Sequence, residues 1–163
     1  MAPTIFWLGA LLFAAIIAAP ILTPEKKLDV PLYPGENDRC PVCGMLVAPY
    51  PEWNSQVRHN DGTTEFFDGC KDLFKYLLSF DRYAPEKDRK NVAAVFVTNY
   101  YDGEIIAART AFFVVGSDAL GPMGSELVPH RSIEAAEDFM DDHHGRQILR
   151  FDEITEAVLR NLQ

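Results

Sequence analysis

The stretch SQVRHNDGTTEFFDGCKDLFKYLLSF, residues 55–80, changes its hydrophobic period partway along. Its first half reads as two short strands about Asn60-Asp61-Gly62, with the glycine supplying the positive φ of a tight turn. From Cys70 onward the spacing is helical: Cys70, Leu73, Phe74, Leu77 and Phe80 fall on one face, and Asp68 stands where an N-cap belongs. Downstream, NVAAVFVTN (91–99) and EIIAARTAFFVVG (104–116) read as strands flanking the Asp102-Gly103 turn. Their unbroken apolar runs predict burial on both faces. LGPMGSELVP (120–129) reads as a loop and a short strand, and SIEAAEDFMDDHHG as a helix from Ser132 to Gly145. RQILRF supplies a further strand, and DEITEAVLRNL a closing helix. Mixed strands and helices with hairpins define an α+β class. A sulfur-bearing glycine loop, then strand, helix and strand, occurs once from Cys40 and again from Met123, which suits two similar half-domains packed together.

The other end of the chain has a different character. The first 24 residues carry no charged side chain, and IFWLGALLFAAIIAAPIL (5–22) is close to the minimum apolar length of a membrane-spanning helix. Without a basic n-region, and with Pro20 after the best small-residue site, residues 1–24 fit an uncleaved anchor better than a cleaved signal. No cysteine sits near its end to carry lipid. Lys26 and Lys27 favour a cytoplasmic flank under the positive-inside rule, yet the expected location of the domain is outside the cytoplasm. TPEKKLDVPLYPGEN (23–37) has no periodicity, so residues 25–37 read as a Pro-rich linker and 38–163 as the folded domain.

A net charge of −9, from 15 basic and 24 acidic residues, argues against a nucleic-acid partner. No Ser/His/carboxylate cluster, phosphate-cradling glycine loop or paired carboxylates stands out, so catalysis is not expected.

Sulfur is where the chain concentrates its chemistry. RCPVCGMLV (39–47) sets Cys40 and Cys43 three positions apart, with Met45 two further on. Three chemistries fit: a thiol redox pair, half of a zinc site, or a soft-metal site. Met45 and Met123 both lie against glycine in turn-like contexts with no periodic apolar face to bury them, unlike Met140 within a helix. Thioether and thiolate together suit Cu(I), whereas Zn(II) takes thiolate and imidazole and has little use for thioether. A redox pair would open a helix, but this motif runs into APYPEWNS. Zinc would need two further ligands, from Cys70 with His59, His130, His143 or His144, at no recognised spacing. Cys70 falls in a first helical turn that favours thiolate, or is simply a small core residue. His143 and His144 cap a helix C-terminus.

CPVCGMLV, followed by TTEFFDGCKDLFKYL, GPMGSELVP, SIEAAEDFM and HGRQILRFDEI, resembles the NosL family of nitrous oxide reductase accessory proteins from Asp38 to Glu153. The resemblance implies two related ββαβ units and an extracytoplasmic, periplasm-facing Cu(I) metallochaperone whose partner is nitrous oxide reductase or a related copper enzyme. Carried over by residue, Cys43 and Met45 match the Cys-Gly-Met motif and Met123 the Pro-Met-Gly motif. Cys40, Cys70 and His130 are further candidate ligands. FFDGCKDLF also resembles small YHS-type metal-binding domains, which would keep metal binding without that client.

Overall fold

The computed structural model describes residues 28–162. The anchor expected over residues 1–24 lies outside them, and no helix among the described residues is long and apolar enough to cross a membrane.

Two antiparallel sheets organise the domain. The first contains β1 (Ser55–His59), β2 (Thr64–Phe67), β3 (Val92–Thr98) and β4 (Ile105–Ala107) in the order β2-β1-β3-β4. The second contains β5 (Phe112–Gly121), β6 (Gly124–His130) and β7 (Gln147–Arg150) in the order β6-β5-β7. Helix α1 (Cys70–Leu78) follows β2, and α3 (Ile133–Asp142) follows β6; the short α2 (Phe80–Tyr83) and α4 (Glu156–Arg160) complete the set. Each sheet is thus built from a hairpin, a helix and a strand returning beside the hairpin's first member.

The second apolar run does not form one strand. It breaks at a 3-10 turn, Ala108–Thr110, where Thr110 Oγ1 donates to the carbonyl of Ala107 at 3.1 Å. β4 therefore joins the first sheet and β5 the second. At the crossing Ala108 and Ala111 are fully buried, while Arg109 and Thr110 between them face outward. In β3 only the C-terminal half is buried. In β5 and β6 the pleat sorts side chains to opposite faces. Phe113, Val115 and Leu127 join the main core with Leu73 and Phe74 of α1, while Val114 and Val128 meet Ala136 and Phe139 of α3. Helix α1 thus packs against both sheets.

Two further elements differ from the sequence reading. GPMG is the tip of the β5–β6 hairpin, with Gly121 paired to Gly124 and Pro122-Met123 between them. The closing helix is shorter, since Phe151–Glu153 forms a 3-10 turn in which the Glu153 carboxylate accepts from Arg150 N–H at 2.7 Å. Thr155 then caps α4.

Residues 30–32, within the Pro-rich stretch, lie against β1. The buried Gln56 amide exchanges two hydrogen bonds with the Leu32 main chain, at 2.9 and 2.8 Å, and Arg58 donates to the Val30 carbonyl.

Candidate metal centre

The thiol loop folds back on itself through its main chain. Cys40 N–H donates to Met45 O and Gly44 N–H to Cys40 O, both at 2.9 Å, and Arg39 pairs with Leu46 across the loop. Gly44 makes the reversal at φ +80°, a conformation that strongly favours glycine. Closing the loop this tightly aims main-chain amides at the sulfurs: those of Val42 and Cys43 toward Cys40, that of Met45 toward Cys43.

Opposite the loop stands the start of α1. The sequence placed Asp68 as the helix cap, but Gly69 occupies the N-cap position and no side chain caps the helix. Asp68 instead accepts from the Cys43 thiol at 3.3 Å, and Asp72, one turn on, accepts from the Cys40 thiol at 3.5 Å. Ligand atoms of Cys40, Cys43, Asp68 and Asp72 all lie within 4.8 Å of one another, the one such group of three or more among the described residues. Three of these residues are buried and Cys43 is half-buried. Asp68 Oδ2 is buried with no hydrogen-bond partner, an acceptor left open beside the Cys43 thiol's own contact to Oδ1. Lys75 pairs with Asp72 at 2.9 Å.

Burial pushes the Cys43 thiol up to about 11, and the carboxylates of Asp72 and Asp68 add to the effect, against the Met45 amide and the Cys40 thiol. Cys40 is raised further, again chiefly by burial. Without metal the pair is therefore held as thiols, and a bound cation must expel their protons.

Cys43, Asp72 and Met123 line a single open cavity of about 390 Å³. Met123 reaches it from the tip of the β5–β6 hairpin and is 44% exposed. Met45 is half-buried and is not on that wall; its contribution to the loop is its main chain. Cys70 is buried beneath the first turn of α1, outside the donor group, and burial with the neighbouring Glu126 raises its thiol well above the ordinary value. His130 ends β6, about 20 Å along the strand from its start by the usual rise per residue. It is fully buried among Tyr100, Tyr101 and Phe139, with both ring nitrogens unpartnered, and burial lowers it to about 4.

The structure thus brings together Cys40, Cys43 and Met123 and leaves Cys70 and His130 elsewhere. Asp68 and Asp72 were missed as site residues. Their placement around the start of α1, Asp68 just before the Gly69 cap and Asp72 in the first turn, was the available signal.

A thiol loop facing carboxylates, open on one side to a thioether, defines a small α+β protein with a candidate metal centre. A family model described as NosL matches residues 31–159, and the chain belongs to that family. It is 30% identical over 126 residues to the copper-binding lipoprotein NosL of Stutzerimonas stutzeri, a match spanning 77% of this chain and 66% of that protein's length. The crystal structure of the copper chaperone NosL from Shewanella denitrificans superposes with a TM-score of 0.66 at 30% identity, over 78% of this chain and 97% of that one.

Proposed function

We propose that the chain is an extracytoplasmic Cu(I) metallochaperone, with no catalytic activity of its own, that delivers copper to nitrous oxide reductase or a related copper enzyme. The observation that carries the reading is the convergence of Cys43, from the N-terminal thiol loop, and Met123, from the β5–β6 hairpin of the second sheet, onto one open cavity, next to a second thiol. Thiolate with thioether is a donor set for a soft d¹⁰ cation, and an open wall leaves room for a receiving protein's ligands to displace the chain's own. Cys43, Met123 and Cys40 bind the ion in this reading. Met45 stands at the loop as a further thioether, and Cys70 and His130 are the more remote candidates. The two halves are related ββαβ repeats, with residues 25–37 linking the domain to a membrane anchor at 1–24. The copper-binding and copper-chaperone descriptions of the two relatives support the same reading.

A second reading rests on the carboxylates. Two thiolates and two carboxylates within 4.8 Å form a donor set that Zn(II) accepts.

Anaerobic competition titration of the full chain with Cu(I) and a chelator, with and without excess Zn(II), separates the two. Copper delivery requires tight Cu(I) binding that survives zinc. Leucine conserves volume, so Met123→Leu is expected to alter metal-free stability by less than about 1.5 kcal/mol. It is expected to weaken Cu(I) at least tenfold, roughly 1.4 kcal/mol. Met45→Leu is measured beside it. Preference for Zn(II), indifferent to both substitutions, would establish the second reading.

A further inference from the structure

Met123 lies on a hairpin of the second sheet, whereas both thiols face a helix that follows the first. Something must hold the hairpin tip in register with that helix. Lys71, one residue after Cys70 and between the two site carboxylates, makes three bonds to the segment 123–126. Its Nζ donates to the carbonyls of Met123 at 2.7 Å and Ser125 at 2.8 Å, and its main-chain N–H donates to the Glu126 carboxylate. The residue is buried, with 6% of its surface exposed. A buried lysine is costly unless its donors are satisfied, and here two are satisfied by the backbone of the methionine-bearing tip. The fit is close on the helix side too: a Cβ at residue 69 would meet the Glu126 carboxylate.

We propose that Lys71 is a positioning residue that fixes the Met123 thioether over Cys43, making one copper site from two halves of the fold. The proposal rests on the copper reading of Met123. Because the Lys71 side chain grips the hairpin by carbonyls, it sets where residue 123 sits whatever its side chain. Without those side-chain bonds the tip keeps its hairpin pairing but loses its direct tie to the helix that carries Asp72 and follows Asp68.

The test uses the full chain with Lys71→Met, which keeps length and apolar stem but removes the donors. Cu(I) affinity is expected to fall tenfold or more, as in Met123→Leu. X-ray absorption of copper-loaded Lys71→Gln, which adds no thioether, is expected to count one sulfur fewer than the wild type. Lys71→Met combined with Met123→Leu is expected to bind no more weakly than Met123→Leu alone, because both remove the same ligand. Lys71→Gln, shorter and uncharged, also provides the affinity comparisons should the methionine variant not fold. Wild-type affinity in a folded Lys71 variant, a wild-type sulfur count in Lys71→Gln, or losses that multiply in the double variant, would overturn the proposal. If Met123→Leu itself binds copper like the wild type, it is the copper reading of Met123 that fails, so the two failures are told apart.

Discussion

The Cys43 thiol donates to Oδ1 of Asp68 across 3.3 Å, and the other oxygen of that carboxylate is buried without a partner. A carboxylate there disfavours the thiolate and favours any cation that replaces the thiol proton. Asp68→Asn is therefore expected to lower the Cys43 pKa by up to about one unit, a tenfold change in ionised fraction. Thiolate absorbance followed against pH in the metal-free protein reads this directly. The linkage has a definite sign. Cys43 is raised from 9.0 to about 11, so stability is lost as pH climbs through that interval, and the variant narrows it. A titration identical to the wild type would show that Asp68 does not govern the thiol.

His130 offers a test at the other end of β6. Its two ring nitrogens are buried and unpartnered, and burial, with His143 nearby, lowers it from 6.5 to about 4. The unfolded chain takes up a proton there below 6.5 while the folded one does not, so stability is lost as pH falls toward 4. His130→Phe retains a ring among Tyr100, Tyr101 and Phe139. It is expected to stabilise the fold by about 1–3 kcal/mol at neutral pH, the usual cost of an unsatisfied buried polar group. The advantage should widen below pH 6.5 in denaturant melts, with Cu(I) affinity unchanged. Loss of copper binding in this variant would make His130 a ligand despite its distance from the cavity.

Local pattern accounts for what could be read in advance. The hairpin at Asn60-Asp61-Gly62, the buried face of α1 at Cys70, Leu73 and Phe74, and the serine cap of α3 are settled within a few residues, by turn chemistry and period, whereas Phe80, expected on the same face, opens the separate α2. Sulfur beside glycine singled out Met45 and Met123, of which Met123 lines the cavity and Met45 does not. The roles of Asp68, Asp72, Lys71 and Glu126 depend on where α1 meets the thiol loop and β6, which no local pattern encodes. An aspartate ahead of a helix looks the same whether it caps the helix or faces a thiol 25 residues upstream. Residues 105–115 are apolar apart from Arg109 and Thr110, the exposed pair at the turn where the chain crosses from one sheet to the other. Within one window that crossing is indistinguishable from a single buried strand.

Glu126 gives a prediction of opposite sign to His130. It is buried beside Gly69, accepts from the amides of Lys71 and Leu127, and is raised from 4.5 to about 8 by burial. The unfolded chain releases this proton near 4.5 while the folded chain holds it, so stability falls as pH rises from 4.5 to 8. Glu126→Gln keeps an oxygen for both amides and cannot ionise. Wild type and variant are expected to converge near pH 5, with the variant increasingly the more stable toward pH 8.5, in parallel denaturant melts of metal-free protein. A constant gap across that range would mean that Glu126 titrates outside it.

The strap at residues 30–32 decides where the folded unit begins. Val30, Leu32 and Tyr33 are 45%, 43% and 82% exposed, so apolar burial contributes little to holding it. What holds it is polar: two bonds from Leu32 to the fully buried Gln56 and one from Arg58 to Val30. Neutral bonds of this kind contribute about 0.5–1.5 kcal/mol each, and one to a charged group about 1.5–3. Removing the strap also lets water reach Gln56 and Arg58, which offsets part of the loss. A chain beginning at Asp29 is therefore expected to be more stable than one beginning at Gly35 by about 2–4 kcal/mol. Urea midpoints at equal slope measure the difference. Gln56→Leu in the longer chain removes the side-chain half of the tie and should recover part of it. Equal midpoints for the two truncations would place the start of the folded unit beyond the strap and reduce residues 30–32 to a linker resting on β1.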